Sequence, residues 1–80
     1  MKIEVLGPGC ARCHATEENV KRVVEELGIE AEVVKVEDLG GIYEKGVFMT
    51  PGVIIDGEKL SEGRVPRPRE IRAWLEARSK

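Results

Sequence analysis

Cys10 and Cys13, separated only by Ala11 and Arg12, are the whole cysteine complement of this 80-residue chain. A short apolar run, Ile3-Glu4-Val5-Leu6, precedes them, and a helical pattern opens near Ala11. The thiols are thus placed one turn apart at a helix N-terminus, where unpaired N–H groups and the helix dipole favour thiolate over thiol. A thiolate is the nucleophile of disulfide exchange and also a ligand for soft metals. The pair therefore points to redox chemistry, metal binding or haem attachment. Cys10, just before the helix, is expected to be the more exposed and more acidic thiol, fit to attack; Cys13, inside the first turn, is expected to resolve the mixed disulfide. Arg12 either adds a charge that lowers the Cys10 pKa or is a solvated loop arginine. His14 is expected to lie exposed or partly packed on the first turn, with a secondary role in tuning Cys13 as the sharper alternative.

The elements that must position this pair can be read along the chain. Residues 2–6 form a strand that ends at the Gly7-Pro8-Gly9 turn. From Ala11 to Leu27, Cys13, Thr16, Val20, Val23, Val24 and Leu27 recur at helical spacing, with Glu17–Lys21 and Glu18–Arg22 as i,i+4 pairs on the exposed side. Gly28 sits where a left-handed residue ends the helix. Residues 31–36 read as a second strand, so the first half is a right-handed βαβ unit with parallel strands. Asp38 caps a short, weak helix over 39–45, and Gly46 ends it. Residues 52–60 read as a hairpin about the Asp56-Gly57 turn. Pro68 opens a last helix that buries Ile71, Trp74 and Leu75, with Arg78 on the rim. The fold class is α/β, in the order β-α-β-(α)-β-β-α: a four-stranded mixed sheet with helices packed on it. Phe48 and Trp74 are assigned to the core.

Composition narrows the function. Thirteen basic and fifteen acidic residues give a net charge of −2, which argues against nucleic-acid binding. No apolar stretch approaches the ~20 residues of a membrane-spanning helix. The chain enters a strand at once, without secretory signal architecture, so one cytoplasmic, monomeric domain over residues 1–80 is expected. A disulfide between residues three positions apart closes too small a loop to act as a major staple, so the pair is read as functional. The absence of Gln and a charged fraction of 35% lean toward a thermophilic source.

Thr50-Pro51 adds a second element, a proline opening the first strand of the hairpin, where its missing N–H is tolerated. Taken alone the bond is expected trans, since only about 5–6% of X–Pro bonds in folded proteins are cis. Together, Gly7-Pro8-Gly9-Cys10-Ala11-Arg12-Cys13, Leu27-Gly28-Ile29, Thr50-Pro51-Gly52-Val53, Ile55-Asp56-Gly57 and Gly63-Arg64-Val65 resemble the thioredoxin fold in its minimal form. More closely, the chain resembles the small thioredoxin-like proteins called redox-active disulfide protein 2. This resemblance implies a thiol–disulfide oxidoreductase whose Pro51 is cis and faces the dithiol. It implies that Thr50 offers backbone hydrogen bonds to an extended substrate, and that Gly63 lets the substrate backbone approach. The partners implied are a disulfide-containing protein or small-thiol substrate and a reductase as electron donor. No prosthetic group is called for, the Cys10–Cys13 disulfide being the redox centre. Thioredoxins also carry a buried acid six residues before the first cysteine. Glu4 has that spacing and could assist deprotonation of Cys13, although a rim glutamate facing water is the simpler expectation.

Three further features bear on function. Cys10-Ala11-Arg12-Cys13-His14 fits a c-type haem attachment motif, with Met49 as a conceivable distal ligand, but such proteins are exported and helical. A metallochaperone-like module binding Cu(I) or Zn through the same pair fits the first 36 residues. It requires β-α-β-β-α-β and a final strand, whereas this chain ends on a helix; no metal site is assigned. Arg64, Arg67, Arg69 and Arg72 could form a docking surface for an acidic partner, the plainer account being pairing with Glu58, Glu62 or Glu70.

Overall fold

A computed structural model describes residues 1–78; Ser79 and Lys80, at the end of the expected domain, lie outside the described residues. Seven elements follow one another as β1 (Lys2–Leu6), α1 (Ala11–Leu27), β2 (Glu32–Val36), α2 (Leu39–Glu44), β3 (Gly52–Ile55), β4 (Glu58–Glu62) and α3 (Pro68–Arg78). The sheet order is β2-β1-β3-β4. β1 and β2 are parallel, with Ile3 opposite Val33, and β3 runs antiparallel to both β1 and β4.

β1 is therefore a central strand, and Ile3, Glu4, Val5 and Leu6 are all buried because both of its faces are covered. One face carries Ile3, Val5, Val53 and Ile55 against Val20 and Val23 of α1 and Ile71 and Leu75 of α3. The other carries Leu6 and Ile54 against Ile42 and Val47. Trp74 is only partly buried, at the margin of the first cluster.

Local signals explain the boundaries. Gly28 (φ 63°) ends α1 by donating its N–H to the carbonyls of Val24 and Glu25. Asp38 caps α2 through a 2.8 Å bond from the Gly41 N–H to its carboxylate. Asp56 and Gly57, both at positive φ, make the two-residue hairpin turn.

Three expectations are corrected. Phe48 is 71% exposed rather than core, because Val47 takes the inward position. A Cβ on Gly52 would lie 2.7 Å from a Val47 methyl, and the next residue along the chain turns outward. Glu17 is buried, where Lys21 (3.1 Å) and Lys35 (3.6 Å) meet it. Glu18 pairs with His14 and Arg22 with Glu26, in place of Glu18–Arg22.

Candidate active site

The C-terminal ends of β1 and β2, the start of β3 and the end of β4 all lie at one end of the sheet, and α1 begins there. After Leu6 the chain is tied to β2 by a 2.9 Å bond from the Gly7 N–H to the Val36 carbonyl. Gly9, at φ 89°, turns it into Cys10. Cys10 is the N-cap of α1: its backbone is extended (φ −70°, ψ 169°) and its sulfur accepts from the Cys13 N–H at 3.4 Å. A sulfur thus occupies the place usually taken by a capping oxygen, at the positive end of the helix.

Cys10 is exposed and Cys13 buried, both as free thiols with sulfurs 2.8 Å apart. Their acidities diverge. The hydrogen bond from the Cys13 thiol lowers the Cys10 pKa first, and the Cys13 and Arg12 backbone N–H groups lower it further. Burial raises the Cys13 pKa, and the bond to Cys10 and repulsion from its charge add to the rise. One proton shared between two sulfurs leaves the anion on the outer one.

The other residues singled out from sequence are distributed as follows. Arg12 does not turn its guanidinium on Cys10; its Nη2 donates to the Gly63 carbonyl at 2.7 Å, and only its backbone acts on the thiolate. His14 is exposed, 3.2 Å from Glu18 and 3.9 Å from Glu17. Glu4 is not a rim residue facing water: it is 6% exposed and its carboxylate lies 2.8 Å from Lys45 Nζ. The physical reason is the central position of β1, whose second face is covered at this point. The Thr50–Pro51 peptide bond is cis, with Pro51 buried. Gly63 (φ 77°) donates its N–H to the carbonyls of Met49 (2.9 Å) and Pro51 (3.0 Å). A Cβ there would stand 3.2 Å from Met49 Cβ, so glycine makes room for Met49. Two of the four clustered arginines form ion pairs, Arg64 with Glu70 and Arg72 with Glu26, and Arg67 meets Glu70 through its backbone N–H.

The sequence marks Gly7 only as a turn residue, but its larger part lies in the site. A Cβ on it would stand 2.2 Å from Cys13 Sγ and 3.7 Å from Thr50 Cβ, so this glycine is the seam between the buried thiol and the pre-proline residue. Glu62, which the sequence marks only as a partner for the nearby arginines, also belongs to the site. Its carboxylate accepts from the N–H groups of Phe48 (3.0 Å) and Met49 (3.2 Å), immediately before Thr50. A shallow concavity at the opposite end of the sheet, lined by Met1, Lys2, Ile29, Glu30, Glu32 and Asp56 among others, contains none of these residues.

An exposed capping thiol, a buried partner thiol and a cis-proline edge define a thiol–disulfide oxidoreductase of thioredoxin-like fold. The chain belongs to the thioredoxin family: the family model described as "Thioredoxin domain" matches residues 1–76. Over 75 residues, 94% of this chain, it is 49% identical to a thioredoxin of Methanocaldococcus jannaschii, covering 86% of that protein. It is 43% identical to a thioredoxin of Methanothermobacter thermautotrophicus over the same length, 97% of that protein. The solved structure of thioredoxin 1 from the thermophilic eubacterium Thermosipho africanus superposes with a TM-score of 0.58 at 27% identity, covering 100% of both chains.

Among the described residues, no group of three or more His, Cys, Asp or Glu side chains is placed to hold a metal ion. The element order, β-α-β-α-β-β-α, departs from the β-α-β-β-α-β of the metallochaperone alternative. No helix among the described residues is long and apolar enough to cross a membrane.

Proposed function

We propose that Cys10 is the attacking thiolate and Cys13 the resolving thiol of a disulfide reductase. The observation that carries this is an exposed sulfur at the N-cap of α1 held 2.8 Å from a buried one, an arrangement that lowers the Cys10 pKa and raises that of Cys13. Cys10 Sγ attacks one sulfur of a substrate disulfide, forming a Cys10–substrate bond and expelling the other sulfur as a thiolate, which takes up a proton from solvent. Cys13 loses its proton, attacks Cys10 Sγ, and releases the second substrate thiolate while the Cys10–Cys13 disulfide closes. Two electrons have then passed to the substrate, and a reductase supplies two more, with two protons, to reopen the Cys10–Cys13 disulfide. Thr50 offers its backbone to an extended substrate segment, and Gly63, whose missing Cβ is taken up by Met49, borders the same edge. The substrate is a disulfide-containing protein or small disulfide. The chain works as one cytoplasmic, monomeric domain without a prosthetic group.

The test is alkylation of the reduced protein across a pH series, read at each cysteine by mass spectrometry. Cys10 is expected to react well below the ordinary thiol pKa of about 8.5, with Cys13 lagging. Equal reactivity of both thiols, with ordinary pH profiles, would remove the basis of the assignment. Cys10→Ser is expected to abolish exchange, and retained turnover in that variant refutes it equally.

A further inference from the structure

The segment before the cis-proline poses a physical problem. Phe48 is 71% exposed and Met49 64%, so burial of their side chains does little to hold the chain there. Yet Thr50, the next residue, is the one whose backbone an extended substrate would pair with. Buried Val47 and Pro51 anchor the chain on either side, so what fixes Phe48 and Met49 between them must act mainly on the backbone.

β4 supplies it through an irregularity. In a regular strand, residues three apart point to opposite faces of the sheet. Here the β3–β4 register shifts between Val53 and Ile54, so that Glu62 lies opposite Gly52 and Lys59 opposite Ile54. Gly52 and Ile54 share a face; the shift therefore brings Lys59 and Glu62 onto that same face, the one against which residues 46–49 run. Bulges next to active sites commonly re-aim side chains in this way. Glu62 accepts from the Phe48 N–H at 3.0 Å and the Met49 N–H at 3.2 Å. Lys59 Nζ bonds the other Glu62 oxygen at 2.6 Å and the Gly46 carbonyl at 3.1 Å. The residue after Glu62 continues the grip, the Gly63 N–H reaching the Met49 carbonyl at 2.9 Å.

We propose that Glu62, supported by Lys59 and aimed by the β4 bulge, is a positioning residue that fixes the Phe48–Thr50 backbone for pairing with an extended substrate. The inference rests on the reading that such substrates dock along the Thr50–Pro51 edge. The bond to Lys59 and the two amide bonds hold the Glu62 carboxyl at about 2, so the clamp stays charged at any pH where the dithiol works. It is a standing part of the site and not a pH gate. Its effect falls on substrates that use the backbone edge; a small disulfide that meets only Cys10 has no call on it.

The experiment compares the parent protein with Glu62→Ala and Glu62→Gln. Each is reacted with a disulfide-bonded peptide of extended sequence and with a small aromatic disulfide, and amide hydrogen exchange is followed at Phe48 and Met49. In Glu62→Ala the peptide-to-small-disulfide ratio of kcat/KM is expected to fall about tenfold, through KM, for a positioning loss below 1 Å. Exchange at both amides is expected to accelerate. Glu62→Gln, which keeps an acceptor oxygen but loses the charge, is expected to fall between. Unchanged exchange at Phe48 and Met49 would show that the carboxylate does not hold the segment. Faster exchange with an unchanged ratio would show that substrate does not need it held; either result overturns the proposal. A failure of the underlying thiol assignment reads differently, as parent protein that reacts with neither disulfide at Cys10.

Discussion

Replacing Gly7 with Ala tests the geometry of the dithiol most directly. Gly7 is not among the glycines at positive φ, so alanine meets no backbone penalty and the whole effect is steric. The new methyl would stand 2.2 Å from Cys13 Sγ and 3.0 Å from Cys13 Cβ. Non-bonded atoms settle near 3.5–4.0 Å, so the thiol must withdraw by more than ~1 Å. Gly7 and Cys13 are both buried, in a strand end and a helix turn that cannot simply swing aside. Overpacking of this kind costs about 1–3 kcal/mol. For a chain of this size each kcal/mol is about 4–8 °C in Tm, so a fall of at least about 4 °C is expected. The functional consequence is more specific. Cys10 remains exposed and able to attack, but Cys13 is carried off the line that brings its sulfur to 2.8 Å. Resolution should slow by about tenfold or more, and the Cys10–substrate mixed disulfide should accumulate, visible as a mass adduct in acid-quenched reactions. Gly28→Ala serves as a control, since Gly28 has φ 63° with nothing within 4 Å of its missing Cβ. It is expected to cost about 1–2 kcal/mol through left-handed backbone alone, with no accumulating adduct. Parent-like Tm in Gly7→Ala together with no trapped intermediate would refute the reasoning.

Two further outcomes follow from the charge pairs. Lys45→Met strips the 2.8 Å partner from the buried Glu4 carboxylate and is expected to destabilise by about 1–3 kcal/mol in urea unfolding, with Glu4→Gln in the same chain restoring part of it. A single variant as stable as the parent would mean that Lys45 is not what compensates the buried charge. Glu62 and Glu70 are both lowered to about 2, Glu62 by Lys59 and the Phe48 and Met49 amides, Glu70 by Arg64 and the Arg67 amide. An unfolded carboxyl near about 4.3 binds protons first as pH falls, so the unfolded state is favoured across that interval. The stability these groups contribute is complete above pH about 4.3 and lost progressively toward 2. Tm measured between pH 5.5 and 2.5 should drop less steeply in Glu70→Gln than in the parent, and parallel curves would contradict this.

Much of this protein is legible in its sequence because the signals are local. The helix over 11–27, its glycine stop, the Asp56-Gly57 hairpin and the proline start of α3 each follow from neighbouring residues, and the βαβ handedness from chain chirality. The two thiols and their order of acidity follow from position relative to one helix end. What tertiary structure alone decided is of another kind. Glu4 is buried because β1 became central in the order β2-β1-β3-β4, which no local pattern specifies. Phe48 faces solvent because Val47 claimed the space over Gly52, and composition favours the opposite choice. Gly7 touches Cys13 only once the helix has turned back over the strand end. Glu62 reaches the pre-proline amides because a one-residue shift in strand register put it beside Lys59, a displacement that alternation along the chain contradicts. Helix signals and acidities arise from interactions within a few residues, whereas these four placements depend on which distant surfaces meet, and only the folded chain determines that.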